Sequence, residues 1–190
     1  MYNNKTLILG IDSSKRSTGV ALVTHTKIDD KDVFEIVSKC VLKTKAFKGE
    51  PIFKSELDSY NMMKHFIKDY VEYIDYGVLE GFAFGGQGLT TLAATAAVYQ
   101  LLLAQNNKPI LHIAPNRVKL IVGGNGKASK DEVRAGLSKY LKDFDLIKWP
   151  TYDVSDAAAI AVSSAIVNLY PERFVKKCVK KRLPKQSTKC

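Results

Sequence analysis

Hydrophobic residues change their spacing partway along this chain, and that change limits the fold more than any single motif does. Residues 5–12, "KTLILGID", read as a buried strand that ends on an aspartate. "STGVALVTH" and "VFEIVSKCVLK" follow at hairpin-like spacing, rich in Val and Ile with partial alternation, and "RSTG" and "KIDDKD" supply the turns. Three consecutive strands of this kind make an antiparallel meander. Then the period lengthens. In "IFKSELDSYNMMKHFIKDYVEYI", Phe53, Leu57, Tyr60, Met63, Ile67, Tyr70, Val71 and Ile74 fall near helical spacing, which predicts one long amphipathic helix.

From there strands and helices alternate. "YGVLEGFAF" returns to strand character with Glu80 in its middle, and the Gly-rich "GGQG" opens an apolar helix, "LTTLAATAAVYQLLLAQ". "KPILHIA" is a short strand, and "PNRVKLIV" begins with helix-start residues and ends at "GGNG". Ser129 and Glu132 form a capping-box pattern for a helix through about Leu141, and a final helix runs from near Asp153 to about Tyr170. Strands close in sequence pair directly, whereas later ones need crossover helices. The expected fold is therefore α/β: a mixed five-stranded sheet, three antiparallel strands then parallel strands, flanked by helices.

At 190 residues and 46% hydrophobic content, the chain can bury one ordinary core. The reading is one domain over residues 1–172 and a basic, flexible tail over 173–190, "RFVKKCVKKRLPKQSTKC". No apolar run approaches the length of about 18 residues that a membrane helix needs, and the first residues carry no cleavage-site pattern. Cys40, Cys178 and Cys190 are sparse, odd in number and match no metal-ligand spacing, which suits the reducing cytoplasm. His25, His65 and His112 are equally scattered. The formal net charge of +10 favours polyanionic partners, nucleic acid first among them.

The acids supply the chemistry. In "TYDVSDAAAIAV", Asp153 and Asp156 stand ahead of a run of small apolar residues. One reading is local: Asp153 as N-cap and Asp156 at N3, both at the positive end of a helix dipole. The other is that they hold a cation, and the two are compatible. Asp12 ends the first strand, and Glu80 lies in an otherwise apolar one, where an acid is costly to bury without a partner. If those strands are neighbours and the last helix crosses their ends, all four carboxylates converge. Two carboxylates about 4 Å apart repel by roughly 4 kcal/mol at an effective dielectric near 20. Hard divalent cations such as Mg²⁺ or Mn²⁺ remove that penalty, and a pair of them can clamp a phosphodiester for in-line attack by water.

Four stretches then resemble one family. "LILGIDSSKRSTGVALV", "GVLEGF" and "DVSDAAAIAV" resemble the three acidic motifs of RuvC-type Holliday junction resolvases, which have the RNase H-like fold. "RVKLIVGGNGKASKDEV" resembles that family's Val-Lys segment, Gly-x-Gly loop and following Lys-x-x-Val, in the same order, over about residues 5–170. The resemblance implies that Asp12, Glu80, Asp153 and Asp156 bind two catalytic ions per site, Mg²⁺ with Mn²⁺ as a substitute. It implies Lys119 and Lys130 near the scissile phosphate, and Phe82 or Phe84 stacking on a base at the junction centre, with Phe84 nearer the loop. Arg117 and Lys127 are further DNA-binding candidates. The implied partner is branched DNA, a four-way junction, bound by a homodimer; dependence on branch-migration proteins is left open.

"GGNGKAS" is not a Walker loop, because Ile121 occupies the position of its first glycine, Ala128 follows Lys127, and no strand precedes it. The loop after Glu80 and the long basic tail differ from bacterial members, and the lysine-rich character suits a bacteriophage or other viral member acting in the host cytoplasm. Other readings are a flap or branch endonuclease of relaxed specificity, an RNA–DNA hybrid nuclease, and a nucleic-acid-binding module without catalysis. The last predicts a missing acid, and none of the four is missing.

Overall fold

The computed structural model describes residues 5–14, 16–45, 53–81 and 89–171. Three strands come first, β1 (Thr6–Asp12), β2 (Ser17–Ile28) and β3 (Lys31–Lys43), followed by α1 (Lys54–Ile67). β4 (Tyr76–Glu80), α2 (Leu89–Gln105) and β5 (Ile110–Ile113) complete the sheet, and α3 (Pro115–Val122), α4 (Lys130–Gly136) and α5 (Tyr152–Leu169) follow. The sheet has five strands in the order β3-β2-β1-β4-β5. β3, β2 and β1 pair antiparallel; β1, β4 and β5 pair parallel, so the expected mixed sheet is the one observed.

Local chemistry accounts for the meander. Asp29 and Asp30 turn β2 into β3 with φ of 48° and 62°. Two left-handed residues in a two-residue loop match the twist of the flanking strands, and Asp tolerates that conformation.

Each face of the sheet carries its own core. On one face Leu9, Ile11, Leu22 and Leu79 pack against Met63 and Ile67 of α1 and Tyr99, Leu102 and Leu103 of α2. On the other, Ile8, Ala21, Val23 and Val78 pack against α5, with α3 and α4 beyond it. Every residue of α5 from Val154 to Ile166 is buried except Asp156. A helix that is apolar on nearly all sides must be covered on nearly all sides. Its small residues let it sit unusually close to the strands. A Cβ built on Gly10 would lie 2.1 Å from the Ala157 carbonyl oxygen, and one on Gly19 only 1.9 Å from that of Asp153.

Several boundaries differ from the sequence reading. The first helix stops at Ile67, and a short 3₁₀ turn (Val71–Tyr73) carries the chain on to the buried Ile74. Apolar spacing continued across the break because those residues still pack inward. α4 has the expected Ser129–Glu132 capping box but ends at Gly136, tightening to 3₁₀ at Leu137–Lys139. Gly136 lies where any Cβ would meet the Val122 carbonyl oxygen at 2.0 Å. Asp153 is not the N-cap of α5: Thr151 holds that place with extended backbone and no side-chain cap bond.

Candidate functional site

Strand register brings the first two acids together. β1 and β4 are parallel neighbours with Ile11 opposite Leu79, so the next residues, Asp12 and Glu80, leave the sheet side by side. Alternation along a strand places Asp12 on the face of Ile8 and Gly10, and Glu80 on that of Val78, which is the face α5 covers. The start of α5 crosses these strand ends. It can do so because Gly19, the cross-strand partner of Asp12, leaves room for the Asp153 backbone.

The result is a cleft of about 270 Å³ lined by Asp12, Glu80, Asp156, Lys119 and Lys130, with walls from Pro115, Val118, Val133 and Ile160. Lys119 reaches it from α3, and Lys130 from the first residue of α4. The Lys130 ammonium lies 2.9 Å from Asp156 Oδ2. Asp153 adjoins the cleft without lining it, and its Oδ2 accepts a 2.5 Å hydrogen bond from Ser17 Oγ. Ser17 is itself fixed by Ser14, whose Oγ accepts from the Ser17 amide at 3.0 Å and donates to the Ser17 carbonyl at 2.8 Å. Arg117 and Lys127 do not line the cleft; Lys127 is exposed in the α3–α4 loop. Phe82, Phe84 and the tail from residue 173 lie outside the described residues.

Asp12 and Glu80 are held against their preference. Burial, then the Asp156 and Glu80 charges, push the Asp12 carboxyl up to about 7, with Lys130 opposing. Burial and Asp156 likewise raise Glu80, against the pull of Lys130 and Lys119. The hydrogen bond to Asp156 holds the Lys130 ammonium above its ordinary value. Three carboxylates thus face two lysines in a cleft with apolar walls. Among the described residues, no three acidic, histidine or cysteine side chains stand close enough together to hold a metal ion as they are placed. Asp12, Glu80 and Asp156 nevertheless present hard oxygen donors to one space, and that donor set fits Mg²⁺ or Mn²⁺.

A second set of contacts, unread in the sequence, ties α4 to α5. The Arg134 guanidinium stacks 3.9 Å from the Tyr152 ring centroid, and its Nε donates to Ser155 Oγ at 3.2 Å. The Tyr152 hydroxyl donates to Asp131. Gly10, Gly19, Ser17, Arg134 and Tyr152 are thus supports that sequence reasoning missed. Only the glycines left a signal, since Gly inside a strand often marks a close backbone approach.

Comparison with known proteins gives the family and the fold. Residues 8–164 match the family model described as crossover junction endodeoxyribonuclease RuvC. The chain belongs to the RuvC family. RuvC of Prochlorococcus marinus is 40% identical over 90 residues, 46% of this chain and 52% of that relative. The chain thus spans about half the length of several curated relatives it matches. RuvC of Helicobacter pylori is 26% identical over 161 residues, 83% of this chain and 95% of that relative. Thermus thermophilus RuvC, solved in complex with Holliday junction substrate, superposes with a TM-score of 0.71 at 20% identity, over 86% of this chain and 94% of that one. The likeness extends the RuvC fold over the described sheet and helices. No helix among the described residues is long and apolar enough to cross a membrane.

Proposed function

We propose that this RuvC-family chain is a metal-dependent endodeoxyribonuclease that cuts branched DNA, four-way junctions first, by paired symmetric nicks. One observation carries the reading: Asp12, Glu80 and Asp156 meet Lys119 and Lys130 in a single cleft at the strand ends. The Thermus relative solved with a Holliday junction supports the choice of substrate.

Asp12, Glu80 and Asp156 would hold divalent ions, two per site, with Asp153 joining from its place beside the cleft. Mg²⁺ is the expected species and Mn²⁺ its substitute; bound there, such ions supply Lewis-acid activation of water and of the phosphate. The chain's own residues do the rest. Apolar walls from Val118, Val133 and Ile160 lower the local dielectric, which strengthens every charge interaction inside. Lys119 and Lys130 neutralise the negative charge that grows on the phosphate as water adds and the bond to the 3′ oxygen breaks. The products are a 5′-phosphate and a 3′-hydroxyl, a nick that ligation can seal. Arg117 and Lys127 contact DNA backbone beyond the cleft, and Phe84 or Phe82 stacks on a base at the branch point.

Paired cuts call for two sites related by a twofold. A homodimer supplies them, and the outer face of α1 and α2 suits the contact. Phe53, Leu57 and Leu101 are more than half exposed there, around an apolar groove of about 500 Å³ between the helices.

The test is to offer the protein a four-way junction, a Y-fork, linear duplex and RNA–DNA hybrid, each with Mg²⁺ or Mn²⁺. Symmetric nicks in the junction are the expected outcome. Cutting of the hybrid alone would replace this reading with a ribonuclease, and tight junction binding without cutting would replace it with a binding module.

A further inference from the structure

We infer that Lys130 is a displaceable counter-ion of Asp156, so that its ammonium and an arriving divalent cation compete for one carboxylate. The inference rests on the metal-site reading above and adds a role for Lys130 before DNA is present.

The geometry gives Lys130 a fixed root and a movable head. It is the first residue of α4, inside the Ser129–Glu132 capping box that closes that helix end. The Arg134–Tyr152 stack and the Arg134–Ser155 bond fasten α4 to α5, the helix that carries Asp156. The root is therefore set from two directions. The side chain itself remains 59% exposed, against 20% for that of Asp156. Its ammonium rests on Asp156 Oδ2 at 2.9 Å and lies 6.0 Å from the Tyr152 ring. Four methylenes give it reach to swing outward without any movement of the backbone.

Asp156 cannot serve both partners at full strength. An ammonium on Oδ2 occupies the donor atom and repels an incoming dication at close range. When the dication binds, Lys130 loses its carboxylate and its charge turns to the open mouth of the cleft, where a DNA phosphate would lie. One side chain thus neutralises Asp156 in the resting protein and the phosphate in the working one. Lys119 provides the internal contrast. It lines the same cleft and acts on Glu80 through space, and among the described residues no ion pair links it to Asp156.

The experiment is calorimetric titration of Mn²⁺ into DNA-free protein, which reads binding and not cleavage. Relative to wild type, Lys130→Met should bind Mn²⁺ about tenfold more tightly. Lys130→Arg, which keeps the charge, should stay near the wild-type value. Lys119→Met should gain no more than about threefold, because it removes only a through-space charge. Equal gains in K130M and K119M, or weaker binding in K130M, would overturn the inference while leaving the metal site intact. Failure of the wild-type protein to bind Mn²⁺, or unchanged binding in Asp12→Asn, would overturn the metal-site reading and this inference with it.

Discussion

The two faces of the sheet are packed by different means, and only one of them builds a site. Beneath α5 the contacts are backbone to backbone: Gly10 and Gly19 lie under carbonyl oxygens, and alanines and serines fill the helix. Beneath α1 and α2 the contacts are large side chains, with Met63, Tyr99, Leu102 and Leu103 meeting the strands. Close approach on the first face fixes where the α5 carboxylates stand relative to the strand-end acids. On the second face the contacts are made by side chains, which can rotate, and Phe53, Leu57 and Leu101 stay exposed outside it. Precision is bought with glycine and alanine on the face that must aim charges.

The contrast is open to direct attack. The largest effect on folding should come from Gly19→Ala, whose Cβ would sit 1.9 Å from a main-chain oxygen that cannot swing aside. A loss of about 3 kcal/mol or more is expected, seen as a drop in melting temperature of roughly 6–12 °C for a chain of this size. A near-wild-type melting point would mean that α5 does not lie where described.

Next is Asp12→Asn, which should abolish cleavage and keep junction binding. Its stability effect has a definite sign. The Asp12 carboxyl is raised from 3.8 to about 7, so ionising it in the folded protein is unfavourable. That cost is absent below about pH 4, grows as pH rises through 4–7, and is full above 7. In metal-free buffer the variant should melt several degrees above wild type at pH 8 and close to it near pH 4. A gap that shrinks as pH rises would refute the buried-charge account.

A smaller effect on folding is expected from Leu101→Glu, on the exposed side of α2. It should leave the stability of the isolated fold within about 0.5 kcal/mol of wild type, while sedimentation shows monomers. Persistent dimers would place the twofold elsewhere. Least costly in proportion to its clash should be Gly77→Ala, the counterpart of Gly19 on the α1/α2 face. Its Cβ would meet Leu103 Cδ1 at 2.3 Å, the end of a flexible side chain that can rotate away. About 1 kcal/mol is expected; a loss matching Gly19→Ala would erase the distinction between the faces.

Much of this was legible because it is written locally. Alternation in β1–β3 and the helical period after Phe53 gave the element order, and the capping box at Ser129 marked α4 directly. Asp12 stood out as an acid ending an apolar strand and Glu80 as one within such a strand, although β4 ends at Glu80. What escaped notice depends on residues far apart in the chain. Ser17 meets Asp153 across 136 positions, and the fit of Gly19 beneath Asp153 spans a similar distance. The reading of Asp153 as a cap failed for a related reason: an Asp at a helix start has the same local appearance whether it caps or faces a strand. The Arg134–Tyr152 stack exists only where α4 and α5 pack side by side, so neither residue carries a local signal of it.

The most direct measurement is anomalous scattering from a crystal of the wild-type protein soaked in Mn²⁺. A peak bounded by the carboxylates of Asp12, Glu80 and Asp156 is the expected result. Well-ordered carboxylates with no peak among them would contradict the account.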